Sequence, residues 1–170
     1  QFDFIILMAS RITPEKNIEM AIKAMSEVAK TNPKAGLIIV GDGPEKKNLR
    51  LTTNIICEPW TDDLASYYKT TDVFLNTSNY EGYGRTLIEA AAAGGATIIT
   101  TDVGVAGEVI NKDNSLIIPV GDQAALEQSL LRLVGDEKLR QELSHKAQES
   151  VQKLDNKQSY LEAYKQSWQI

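Results

Sequence analysis

Short apolar runs alternate with stretches of helical periodicity along most of this chain. Phe4 to Met8, Leu37 to Val40, Asn54 to Cys57, Asp72 to Leu75 and Thr97 to Thr100 read as strands, and Ser115 to Val120 as a sixth. Most of these runs are apolar at successive positions rather than alternate ones, as strands covered on both faces are. Between them, apolar residues recur at helical spacing. Ile18, Ile22, Met25 and Val28 or Ala29 form one stripe, Leu64, Tyr67 and Tyr68 a second, and Ala125, Leu126, Leu130 and Leu133 a third. Thr86 to Ala93 consists almost wholly of good helix formers and ends at Gly94-Gly95. Pro44 suits the first position of a short helix over 45–51, Thr61 the cap of a helix with Asp62 and Asp63 in its first turn, and Asp122 the cap of a later one. A polar helix is predicted over Asp136 to Leu154, and a last one over 156–170 with Tyr160, Leu161, Tyr164 and Trp168 on one stripe. Strands alternating with helices predict an α/β domain over 1–170, a doubly wound, Rossmann-like parallel sheet of about six strands.

Such a sheet takes ligands at the carboxyl ends of its strands. Arg11, Gly43, Cys57, Glu81 and Gly104 all fall just after predicted strands, so one edge gathers them. The stretch with most chemistry is Asn76 to Gly94, which reads as strand end, glycine-bracketed loop and helix. A helix N-terminus presents unpaired N–H groups and the positive end of the dipole, and glycines before it admit a ligand to the backbone. Gly82, Tyr83 and Gly84 thus form a cradle for a phosphate or a sugar hydroxyl. Arg85 in the first turn opposes the dipole unless an anion is present, although an ion pair with Glu89 is the plainer use. Glu89 leans back toward the helix N-terminus and is expected at the same mouth as Glu81.

The chain has 170 residues and a formal net charge of −5. That charge argues against general nucleic-acid binding. Cys57 is the single cysteine, so no internal disulfide forms; this fits a reducing, cytoplasmic compartment. No apolar run is long enough to span a bilayer. Gln1 stands where a Met would start a complete protein, so a fragment of a longer chain is expected. Gly41-Asp42-Gly43-Pro44 is not a dinucleotide fingerprint, because Lys46 stands where a third glycine is needed. His145 lies among polar residues and reads as surface. Asp62 and Asp63 read as capping residues, not a metal pair.

Glu81-Gly82-Tyr83-Gly84-Arg85-Thr86-Leu87-Ile88-Glu89, followed by alanines and Gly-Gly, resembles the E-x7-E signature of the retaining GT-B glycosyltransferases of GT4 type. Ser10-Arg11-Ile12 to Lys16-Asn17 resembles that family's G-R-L-x-x-x-K-G segment, with Ser10 and Asn17 replacing its glycines. Gly41-Asp42-Gly43-Pro44 matches its G-x-G-P turn, and Thr101-Asp102 to Glu108 its T-D-x-G-G-x-x-E loop, with Val105 for the second glycine. The resemblance covers nearly the whole chain and implies the C-terminal, donor-binding half of a GT-B enzyme. It assigns Arg11 and Lys16 to the diphosphate of a nucleoside diphosphate sugar and Glu81 to the sugar, the three catalytic candidates. Gly82, Tyr83, Gly84, Arg85, Thr86, Leu87, Glu89, Gly43, Cys57 and Glu58 are its donor-binding candidates, with Glu89 on the ribose and Cys57 to Pro59 near the base through backbone atoms. It further implies no cofactor and no metal, a missing N-terminal domain that takes the acceptor and receives the helix over 154–170, and room for peripheral membrane association of the full enzyme through that absent half. The competing reading is a Rossmann-like module that binds nucleotide without transferring sugar.

Overall fold

The computed structural model describes residues 2–154; the expected last helix, with Tyr164 and Trp168, lies outside the described residues. All six expected strands form: β1 (Phe4–Ala9), β2 (Ala35–Val40), β3 (Ile55–Glu58), β4 (Val73–Asn76), β5 (Thr97–Thr101) and β6 (Leu116–Ile118). Among the described residues, five α-helices accompany them: α1 (Ile18–Thr31), α2 (Leu64–Thr70), α3 (Arg85–Ala93), α4 (Gln123–Gly135) and α5 (Glu137–Leu154). The sheet runs β3-β2-β1-β4-β5-β6 with every pair parallel.

Successive residues of each central strand serve opposite faces. Ile6, Met8, Leu37, Ile39 and Leu75 join the layer of α1 and α4. Leu7, Ala9, Phe74 and Ile98 join that of α2 and α3. Helix α5 reaches both, through Leu143 to the first and Ala147 and Val151 to the second. Burial on both faces explains the uninterrupted apolar runs.

The strand order reverses between β1 and β4, so the chains leaving these two strands diverge and open a crevice. Asp72 locks the pair beneath it: its N–H donates to Ile5 O at 3.0 Å, and its carboxylate accepts from Ile5 N at 2.8 Å.

Two local expectations are corrected. The short helix expected over 45–51 is a 3₁₀ turn, Pro44–Asn48, and Leu49 is already extended. Thr52-Thr53-Asn54 leaves too little chain between β2 and β3 for α-helix to propagate. The cap of α2 is Asp63, whose carboxylate accepts from Ser66 N at 3.3 Å, and not Thr61, whose hydroxyl accepts from Asp63 N. Asp122 caps α4 as expected, accepting from Ala125 N at 3.0 Å. His145 is exposed, beside Glu149. Among the described residues no helix is long and apolar enough to cross a membrane.

Candidate functional site

The loops after β1 and β4 are knitted together across the switch in strand order. Thr77 Oγ1 lies 2.9 Å from Lys16 O and 3.0 Å from Asn17 O, and Asn79 N donates to Glu15 O at 2.8 Å. Asn17 sits in the left-handed region with φ 47° and ψ 44°. Asparagine tolerates that conformation better than most residues, so the position keeps the geometry glycine would give it. These contacts bring Lys16 Nζ to 2.6 Å from Glu81 Oε1, with only about 15% and 14% of the two side chains exposed.

Glu81 is also held from beneath. Ser78, fully buried, places its hydroxyl 2.8 Å from Glu81 Oε1 and 2.7 Å from Asn76 Oδ1; its single proton serves one at a time. Asn76 Nδ2 donates to Thr100 Oγ1 at 3.1 Å, and Thr101 Oγ1 donates to Ser78 O at 2.5 Å. A buried polar network thus runs from the ends of β4 and β5 to a carboxylate at the mouth of the crevice. Nothing in the periodicity of the sequence marked Ser78, Asn76, Thr100 or Thr101.

Helix α3 starts where expected. Gly84 caps it with φ 87°, a conformation that glycine adopts freely. Among the described residues, no acceptor takes the N–H groups of Gly82, Tyr83, Gly84, Arg85 or Thr86. Leu87 differs: its side chain is fully buried and its N–H donates to Gly84 O at 3.0 Å, so it is core beneath the loop. Gly104 braces the loop from outside. Val105 N donates to Tyr83 O at 2.7 Å, and a Cβ on Gly104 would come within 2.6 Å of that carbonyl. Val105 tolerates the family's glycine position because the positive φ falls on Gly104 and Gly107 instead.

These groups surround a cleft of about 370 Å³ lined by Ser10, Arg11, Lys16, Glu81, Tyr83, Gly84, Arg85 and Thr86, among others. It holds three cations against one carboxylate in a chain of net charge −5. Glu89 does not open into it. It lines an adjoining recess of about 770 Å³ with Leu64, Ala65 and Tyr68, and the two hollows share Trp60, Arg85 and Thr86. Glu89 Oε1 stands 3.7 Å from Arg85, the plainer pairing the sequence allowed, and Oε2 accepts from Tyr68 at 3.3 Å. Burial first, and the Glu89 charge second, hold the Tyr68 phenol well above the usual tyrosine range, so it remains a donor throughout ordinary pH.

Gly43, Cys57 and Glu58 line neither hollow. Gly43 packs on the backbone of Ile12, and so supports the Arg11 loop from behind. Cys57 lies within β3, not after it. Glu58 accepts from the Tyr67 hydroxyl. Asp42 ties the neighbouring tips together, taking Lys46 Nζ at 2.6 Å and Trp60 N at 3.0 Å.

A family model described as glycosyl transferases group 1 matches residues 2–150. N-acetyl-alpha-D-glucosaminyl L-malate synthase of Bacillus anthracis is 30% identical over 155 residues, 86% of this chain and 40% of the relative. The chain spans less than half the length of that relative, and of several other curated relatives it matches. In backbone, it superposes on TarM with a TM-score of 0.89 at 23% identity, covering 100% of this chain and 36% of TarM. The pneumococcal O-GlcNAc transferase GtfA, solved with UDP and GlcNAc, gives 0.83 at 24% identity over 98% of this chain and 35% of GtfA. With the parallel sheet, the cationic cleft at its switch point and a family match over nearly all its length, this chain belongs to the glycosyl transferases group 1 family.

Proposed function

We propose that this chain is the donor-binding half of a retaining glycosyltransferase that uses a nucleoside diphosphate sugar. The observation that carries the reading is the concentration of Arg11, Lys16 and Arg85 around the free N–H groups at the start of α3, in a chain whose overall charge is negative. A diphosphate leaving group fits this setting. As the bond from the sugar to the β-phosphate breaks, its electron pair leaves with the diphosphate, and fixed cations and N–H dipoles stabilise the charge that develops. Arg11 and Lys16 take the phosphates, and the Gly82–Thr86 backbone takes phosphate and sugar oxygens. Glu81, pinned by Ser78, orients the sugar. Glu89 in the adjoining recess takes the ribose, and the nucleoside extends along α2 past Trp60. Retention of configuration follows the E-x7-E resemblance. The acceptor would sit on an N-terminal domain that closes over this one, so these residues alone should turn over slowly at most. The family resemblance also supports transfer without a resident metal.

UDP is the first nucleotide to test, because GtfA was solved with it. Calorimetric titration with UDP, GDP and ADP, with and without EDTA, is expected to show one of them binding whether or not the chelator is present. Glu89→Gln should weaken that binding about tenfold, the scale of one charge-assisted hydrogen bond. Transfer competence is a separate measurement, on the chain joined to its acceptor domain: binding there without transfer would favour the inactive nucleotide module. Binding lost on adding EDTA would remove the metal-free part of the reading.

A further inference from the structure

Tyr68 looks at first like core. It is 2% exposed, packs edge-on to Phe74 with ring centroids 5.4 Å apart, and belongs to the cluster under α3. A buried phenol still needs a partner for its hydroxyl, and here that partner is Glu89, 21 residues on and in another helix. The Glu89 side chain is about 41% exposed, on a helix that continues as alanine from Ala90 to Ala93, and Arg85, one turn before it, is 86% exposed. Arg85 is therefore a loose tether. Tyr68, clamped between the sheet and α3, is the rigid one.

We propose that Tyr68 is a positioning residue for the nucleoside subsite, fixing the Glu89 carboxylate so that it meets the ribose hydroxyls in one orientation. This rests on the donor-site reading above and extends it to a residue outside the E-x7-E segment. The bond occupies Glu89 Oε2 and leaves Oε1 on the side of Arg85, whose exposed guanidinium stands 3.7 Å away. A carboxylate fixed on one oxygen discriminates between ligands that do and do not present a hydroxyl to the other. A freely rotating one discriminates less, because its orientation must be fixed at the moment of binding.

Tyr68→Phe removes the hydroxyl and keeps the ring, so the packing against Phe74 survives. The test uses whichever of UDP, GDP and ADP binds the wild-type chain, together with its 2′-deoxy counterpart. Wild type should prefer the ribonucleotide; in Tyr68→Phe that preference should shrink by about three- to tenfold, the scale of one ordinary hydrogen bond. In a Glu89→Gln background the same substitution should have no further effect on the ratio. A merely structural tyrosine would instead lower affinity for both nucleotides alike and lower the melting temperature. Binding with an unchanged preference in Tyr68→Phe overturns the positioning role and leaves the donor site standing. Failure of the folded wild type to bind any of the three overturns both.

Discussion

Replacing Lys16 with methionine is expected to lower nucleoside diphosphate affinity by about ten- to a hundredfold, the scale of one or two charge-assisted contacts. Stability should fall at the same time. Methionine retains much of the aliphatic stem but removes the ammonium 2.6 Å from Glu81 Oε1, in surroundings where that carboxylate is about 14% exposed. Breaking a largely buried pair by taking away one partner leaves the other charge poorly solvated, which costs about 1–3 kcal/mol here because the Ser78 hydroxyl is free to turn its proton from Asn76 to the carboxylate. The companion variant Glu81→Gln separates the two effects. It also breaks the pair, yet it frees Lys16 and removes a negative charge beside the phosphates, so bare diphosphate should bind as well as in wild type or tighter. Chemical denaturation and calorimetry on the two variants check this. Equal loss of diphosphate affinity in both would mean that the pair matters as a brace and Lys16 does not face the ligand.

Gly43→Ala is expected to cost about 1–3 kcal/mol, the usual range for forcing extra volume into a filled space. The position is extended, so its backbone angles suit any residue; space is what it lacks. An added Cβ would lie 2.2 Å from Ile12 O and 2.8 Å from Ile12 N. Those groups are engaged: Ile12 N donates to Asp42 O at 2.9 Å, and Ile12 O accepts from Glu45 N at 3.2 Å. Alanine must push the two loop tips apart, and Arg11 precedes the residue that moves. Diphosphate affinity should therefore fall along with the melting temperature. Gly82→Ala is the contrast, since nothing lies within 4 Å of the Cβ it would introduce. It should fold like wild type, and any loss of binding there reports a ligand's approach to the backbone. A Gly43→Ala chain with unchanged stability would contradict the packing described here.

The order and layering of the fold were legible because burial on both sheet faces writes itself into apolar runs, and burial on one helix face into a stripe. The cradle was legible for a related reason: Gly84, Arg85 and the alanines after them describe a helix start with its N–H groups unfilled. What could not be read were the partners across the chain. Lys16 and Glu81 are 65 residues apart, Tyr68 and Glu89 are 21 apart, and no periodicity links either pair. Tyr68 fits the helical stripe of α2, and a stripe says nothing about the partner of a buried phenol hydroxyl. The placing of Glu89 at the Glu81 mouth erred for a geometric reason: leaning toward the helix N-terminus brings it level with Arg85, but on the α2 side, where Tyr68 holds it. The helix after Gly43 was overestimated because Pro44 announces a start without saying how far the chain can continue.

The molecule has a larger hollow, about 970 Å³, between α1, the Pro44–Asn48 turn and α4. Its lining includes Glu19, Glu27, Glu45 and Glu127 against Lys23 and Arg50, a poor setting for a diphosphate. The contrast makes one measurement decisive. Amide shifts of the isotope-labelled chain, followed while the nucleoside diphosphate that binds is titrated in, locate the ligand directly. The account predicts saturating shifts at residues 10–17 and 81–89, at Tyr68 and around Trp60, with α1 and α4 silent. Shifts confined to the α1–α4 groove, or none at any of these positions, would contradict it.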